Sequence, residues 1–191
     1  MIKPILGKDG HMDMIGITTP KSRGYVRISG TDPRLPPTIE PAFFSDPTDL
    51  DRLVDGIKQI HTFYKNSQTY KNLGHHITEL FLCKDFETNS DDYFKCYVKQ
   101  LTLSFWGFVG TSKMGAKDDP SAVTDTRLKV IGVDNLRVVD ASIMPTHPNA
   151  HLIPTVFAIA EKAAEMIIQD AGGKLKRMSQ KCKDLPEPKS T

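Results

Sequence analysis

The chain has 191 residues and little of what marks a small metal-bound, secreted or membrane-spanning fold. Its three cysteines are Cys83, Cys96 and Cys182, and no two form a C-x-x-C pair. That excludes zinc-finger and thioredoxin-like spacings, and no other metal-ligating pattern stands out. No segment approaches the ~18 consecutive apolar residues of a membrane helix. The most apolar run, Leu152 to Ala160, is about half that length and contains Pro154. The opening MIKPILGKDG lacks an apolar run long enough for a signal peptide. If the parent protein is secreted, the signal is expected upstream of this chain. An excess of one charge is missing too: 25 Lys and Arg face 23 Asp and Glu, a net +2. Six basic and two acidic residues fall in 171–191, so the positive charge belongs to a tail and not to a nucleic-acid-binding face. No internal repeat is present.

What the chain does have is enough apolar material for a core. Leu, Ile, Val and Phe make up 48 of the 191 residues, above the roughly 20% below which disorder is expected. The length suits one domain, or one domain and a fragment.

Hydrophobic spacing predicts an α+β organisation. MDMIGITTPKSRGYVRISG reads as two strands around a polar turn, with Met12, Met14, Ile15 and Ile17 in the first and Tyr25, Val26 and Ile28 in the second. A connector with five prolines from Pro33 to Pro47 follows, an extended surface segment. Ser45 or Asp46 then caps a helix with Pro47 in its first turn. Leu50, Leu53, Val54, Ile57, Ile60 and Tyr64 form its apolar stripe, which fades near Asn66. A second helix is expected after Ser90, with Tyr93, Cys96, Tyr97 and Leu101 on one side. A short strand is expected over 136–140 and a helix over about 154–170, stopped by Gly172-Gly173. The polar, proline-broken remainder is expected to be disordered.

The chemistry is concentrated between Gly107 and Ala164. A strand ending at Asp140, a loop with His147 and His151, and a helix N-terminus follow one another. Free N–H groups and the helix dipole at such a terminus stabilise negative charge. An imidazole just before it can take a proton from a bound substrate. The plainer alternative leaves both histidines as exposed loop residues. His75-His76 has weaker context, with no acidic partner at a ligand spacing. On sequence alone, Cys83 and Cys96 are either bridged in an oxidising compartment or two free thiols.

The run GTSKMGAKDDPSAVTDTRLKVIGVDNLRVVDASIMPTHPNAHLIPTVFAIAEKAAEMI resembles the C-terminal signature of the glucose–methanol–choline (GMC) oxidoreductases, FAD enzymes that oxidise alcohols. PKSRGYVRISGTDPRLPPTIEPAFFSDPTDLDRLVDGIKQI resembles the start of the same family's substrate-binding region, in the style of insect glucose dehydrogenase-like members. The resemblance runs from about Met12 to Asp170. It implies that His151 is a base near the flavin and that the Leu152 N–H faces the flavin's pyrimidine carbonyl. It also brings Asp140 and Ala141 to the cofactor. Two positions depart from the family. Gly107 stands where a first histidine is usual, and glycine has no side chain to accept a proton. Ser112 stands where cysteine is common, a change of packing only.

FAD binding in this family also needs a Gly-x-Gly-x-x-Gly turn, and none of the 13 glycines shows that spacing. The resemblance therefore implies the C-terminal third of a longer protein. It assigns 1–135 to a partial substrate-binding domain, 136–170 to the end of the FAD-binding domain and 171–191 to a disordered basic tail. The implied function is oxidation of the CH–OH group of an alcohol, sugar or sterol, with the isolated chain inactive. The alternative is a non-catalytic, degenerate relative that binds a small ligand. The resemblance further implies that Cys83 and Cys96 are bridged. It also implies an antiparallel sheet over 12–29 covered by the 47–66 helix, with the 136–140 strand and C-terminal helix as a separate unit.

Overall fold

Asp46 and Pro47 open the first helix where the sequence places them. In the computed structural model, which describes residues 9–76 and 81–174, α1 spans Pro47–Asn66. The Asp46 carboxylate accepts from the Thr48 N–H at 2.9 Å, satisfying one of the donors left free in a first turn. A short α2, Gln68–Asn72, follows, and α3 spans Asp91–Leu101. Ser90 caps α3, its hydroxyl accepting from Tyr93 N–H at 3.1 Å. The last helix, α4, spans Leu152–Asp170. It starts two residues before Pro154, which a first turn tolerates because its amides lack intrahelical acceptors. The expected disordered tail from 175 onward, with Cys182, lies outside the described residues.

The chain divides into two compact units. The first holds residues through Thr111 together with Thr146–His151; the second holds Ser112–Pro145 and the chain from Leu152. In the first, α1 packs on α3 through the spaced apolar positions, with Leu50, Val54, Tyr93, Phe94 and Val98 buried around Cys83. Each such side chain contributes about 1.5–3 kcal/mol by leaving water. Cys83 and Cys96 are bridged, their Cα atoms 5.9 Å apart, as the family resemblance implied. The bridge fixes the short turn at Phe81–Cys83 to α3.

The sheet differs from expectation. Its two strands are β1, Tyr25–Arg27, and β2, Thr38–Glu40, antiparallel with Val26 opposite Ile39. The Pro-rich connector supplies the second strand, not residues 12–17, and both strands are exposed and not covered by α1. An extended segment needs a partner edge, and 12–17 finds side-chain anchors instead. Ile15 lies against Gly56 of α1, and Asp13 accepts from the Tyr64 hydroxyl at 2.5 Å. Asp49 of α1 fixes the next stretch. It is 1% exposed and accepts from the backbone N–H of Lys21 (3.0 Å) and Ser22 (2.8 Å). Burial pushes its carboxyl pKa up, but these donors overcome that and leave it below the ordinary value.

In the second unit, Leu128, Ile143 and Ala163 of α4 are buried, with Met114, Val138, Ile159 and Met166 around them. The expected 136–140 strand does not form. The backbone of 136–138 makes only a fragment of a ladder: Val130 N–H donates to Leu136 O, and Val138 N–H to Leu128 O. Left-handed backbone at Leu128 (φ 64°) and Asn135 (φ 58°) breaks the pairing on both sides. α4 ends as the glycines predict. Gly172 adopts φ 74°, its N–H donates to Gln169 O, and Gly173 N–H donates to Ile168 O. The α+β class stands, with helices and one small antiparallel sheet.

Candidate active site

The two most distinctive stretches of the sequence, Gly110–Gly115 and Asp140–Pro145, meet through backbone hydrogen bonds. Ser112 N–H donates to Ser142 O at 2.9 Å and Met114 N–H to Ile143 O at 2.8 Å. Asp140 precedes a short 3-10 turn, Ala141–Ile143, and its carboxylate accepts from Ser142 N–H at 2.8 Å. That bond holds Asp140 at the turn, while Ile143 and Met144 anchor the turn in the interior. Ala141 is half-buried.

His151 is exposed and immediately precedes α4; Leu152 is the first residue of that helix. The four expected site residues thus fall into two groups. Asp140, Ala141 and Leu152 belong to the second unit, and His151 closes the Thr146–His151 segment of the first. Thr18 donates its hydroxyl to Asn149 Oδ1, tying this segment to the N-terminal stretch.

His147 departs from the expectation of an exposed loop histidine. It is half-buried, its Nδ1 is 2.7 Å from Pro148 O, and its Nε2 faces Gly107. A Cβ at position 107 would stand 3.2 Å from that nitrogen. Gly107 ends a tight turn in which its N–H donates to Ser104 O at 3.2 Å. The preceding Phe105 and Trp106 both have left-handed backbone, φ 47° and 56°, a costly conformation for aromatic residues. A sequence signal for His147 existed in the unusual His-Pro following Thr146, but the partner across the loop was not legible.

The other candidates lie elsewhere. His75 stacks on Tyr64 at 4.5 Å between ring centres, and the hydrogen bond to Asp13 pushes the Tyr64 hydroxyl pKa up to about 12. Among the described residues no group of His, Cys, Asp and Glu is arranged to hold a metal ion, and no helix is long and apolar enough to cross a membrane. A groove of about 450 Å³ lies beside the C-terminal end of α4, lined by Lys129, Arg137 and Asp170 among others. It is the length of α4, roughly 28 Å at 1.5 Å per residue, from Leu152.

The α4 N-terminus is open to solvent. First-turn amides have no intrahelical acceptor, and Ile153 is 69% exposed there. Such donors can meet a group that carries negative charge.

Comparison with known proteins identifies the family. The family profile described as GMC oxidoreductase matches residues 20–160. Glucose dehydrogenase [FAD, quinone] of Drosophila pseudoobscura pseudoobscura is 37% identical over 166 residues, covering 85% of this chain and 26% of that protein. A fungal aryl-alcohol oxidase structure superposes with a TM-score of 0.68 at 33% identity, covering 81% of this chain and 25% of the other. An FAD-dependent oxidoreductase from Chaetomium thermophilum superposes at 0.72 with 26% identity, covering 82% and 26%. The chain spans about a quarter of the length of the curated relatives it matches.

Proposed function

Because the chain belongs to the GMC oxidoreductase family, we propose that it forms the C-terminal part of an FAD-dependent oxidoreductase acting on the CH–OH group of a small alcohol, sugar or sterol. The observation that carries this reading is the order of the Asp140 turn, the histidine loop and the start of α4 along the chain, within the stretch that the family profile matches. It supports one residue for each role. His151 takes the hydroxyl proton of the substrate on its ring nitrogen. Leu152, whose N–H lies at the positive end of α4, would help hold the flavin. Asp140 and Ala141 would border the cofactor, and the hydrogen bond from Ser142 N–H to the Asp140 carboxylate fixes that turn. FAD, when bound, supplies the hydride acceptor.

The residues present suit the flavin end of FAD. The pyrophosphate end calls for a glycine turn that these 191 residues do not contain. One helix terminus contributes ~0.3–2 kcal/mol toward a negative group, too little to retain a dinucleotide. The 191 residues alone are therefore expected to lose FAD on dialysis and to leave alcohols unoxidised. The disulfide supports an oxidising compartment for the parent protein.

Gly107 favours a second reading, a non-catalytic relative that binds an alcohol without turning it over. A panel of alcohols and sugars offered to the FAD-loaded protein that carries this chain separates the two. Substrate-dependent bleaching of the flavin supports the oxidoreductase; saturable binding without bleaching supports the binder.

A further inference from the structure

We propose that residues 11–22 form a strap along α1 whose Thr18, acting through Asn149, positions the loop that carries His151; this rests on the oxidoreductase reading above. The segment Thr146–His151 belongs to the first unit although the chain on both sides of it belongs to the second. Among the described residues one hydrogen bond ties it to the rest of the first unit, from the Thr18 hydroxyl to Asn149 Oδ1. The contact of His147 Nδ1 with Pro148 O is internal to the segment. The His151 ring is exposed and, among the described residues, has no hydrogen-bond partner. A general base must nevertheless come within about 2.6–3.2 Å of the proton it takes. An unheld ring keeps that distance only if the backbone beneath it is fixed. Ala150 alone separates Asn149 from His151, and Pro148 restricts φ on the other side. The bond from Thr18 therefore falls where it limits the His151 backbone most directly.

Thr18 serves as a fixed point because the stretch around it is anchored on both sides. Before it, the Tyr64 hydroxyl donates to Asp13 at 2.5 Å and lies 2.7 Å from His11 Nε2. Ile15 packs on Gly56, where an added Cβ would stand 2.9 Å from its Cγ2. After it, Arg52 donates to Thr19 O at 3.0 Å, and Asp49 accepts from the N–H groups of Lys21 and Ser22. These partners on α1, Asp49, Arg52, Gly56 and Tyr64, recur at intervals of three, four and eight residues, which places them on one face of the helix. Leu50 and Val54 of the same helix lie in the first core. So the core holds α1, α1 holds the strap, and the strap presents Thr18 to the loop. The branched Cβ of threonine restricts χ1, so its hydroxyl follows its backbone. No proton changes hands in this role. Thr18 keeps its hydroxyl proton, and the substrate proton goes to His151 alone.

The test has a spectroscopic arm and a kinetic arm. Thr18→Val removes the hydroxyl at nearly the same shape, and Thr18→Ser keeps it. Nitrogen-15 relaxation of the labelled 191-residue chain reads the order of the Asn149 and Ala150 amides. In the wild type and Thr18→Ser their order parameters are expected at about 0.85, the value of rigid backbone, and in Thr18→Val below about 0.6. Amide exchange in α1 and α3 is expected to be the same in all three, which separates a loosened loop from a loosened fold. A loop equally ordered in Thr18→Val overturns the proposal. In the FAD-loaded protein that carries this chain, Thr18→Val is expected to slow flavin reduction at saturating alcohol about tenfold, the worth of one hydrogen bond. The alcohol concentration for half-saturation is expected to stay unchanged, and Thr18→Ser to recover most of the rate. Adding Thr18→Val to Asn149→Leu is expected to slow the reaction no further than Asn149→Leu alone. Additive losses would show two independent roles and overturn the proposal. If Thr18→Val matches the wild type while His151→Ala is slow, the strap fails and the oxidoreductase reading survives. If the wild-type holoenzyme oxidises no alcohol, both fail together.

Discussion

The two units are held together by different means. The first is built on two amphipathic helices that bury Leu50, Val54, Phe94 and Val98 around a disulfide. The second has one helix and little regular backbone besides; backbone bonds between distant loops and clusters of charge tie it together. In the second unit Asp170 gathers Lys129 Nζ at 3.0 Å, Arg127 at 2.6 Å and the Arg137 guanidinium. Lys129 and Arg127 hold its carboxyl pKa at about 2. The Ser121 hydroxyl and N–H, with Lys113, do the same for Asp119. A carboxylate at a helix C-terminus opposes the helix dipole, so these cations have a definite task. Apolar periodicity builds the scaffold of the first unit, whereas the shape of the second depends on specific polar partners.

Substitutions and solvent changes can break that contrast, and the largest expected effect lies in the first core. Phe94→Ala should destabilise the protein by about 3–5 kcal/mol. Amide hydrogen exchange should show the loss first in α1 and α3; equal loss of protection in α4 would erase the distinction. Reducing the Cys83–Cys96 bridge, or replacing both cysteines with serine, comes next, at about 3 kcal/mol for a loop of this size. A reductant-dependent shift in the thermal midpoint measures it, and no shift would show the bridge to be inert. In the second unit, Gly172→Ala forces a side chain into left-handed backbone and should cost ~1 kcal/mol, read as fraying of the last turn of α4.

The smallest effect sharpens the contrast through pH. Asp170 has its folded pKa lowered from 3.8 to about 2. Its contribution to stability is therefore fully present above its unfolded value and is lost as pH falls through about 2. Asp170→Asn should abolish that part of the acid dependence while Asp119 retains its own. An acid profile identical to the wild type would contradict the role of the cation cluster. Asp49 gives the first unit an acid sensitivity of the same sign, since its pKa is also lowered.

How far each region could be read from sequence follows from the same contrast. The spacing of Leu50, Leu53, Val54 and Ile57 and the caps at Asp46 and Ser90 are local, and both helices form where they point. Gly172 and Gly173 likewise mark the end of α4. The sheet was half legible. Val26 announces a strand, but its partner Ile39 sits among prolines, which hide strand propensity in a window-by-window reading. Residues 112–145 were opaque because their order comes from pairings such as Met114 with Ile143, across nearly thirty residues. At the site, His151 before a helix start is a local pattern, whereas Leu152 was singled out only by the family resemblance. The seating of His147 over Gly107 was not legible, since it depends on a turn forty residues away.

The central claim, that this chain carries the proton-accepting end of an alcohol-oxidising flavoprotein, is tested most directly by the rate of flavin reduction. The FAD-loaded protein and its His151→Ala variant are mixed anaerobically with an alcohol, and bleaching is followed in a stopped-flow instrument. Loss of the general base should slow bleaching by roughly 10²–10⁴-fold without loss of bound flavin. Equal rates in the two proteins, with flavin retained by both, would contradict it.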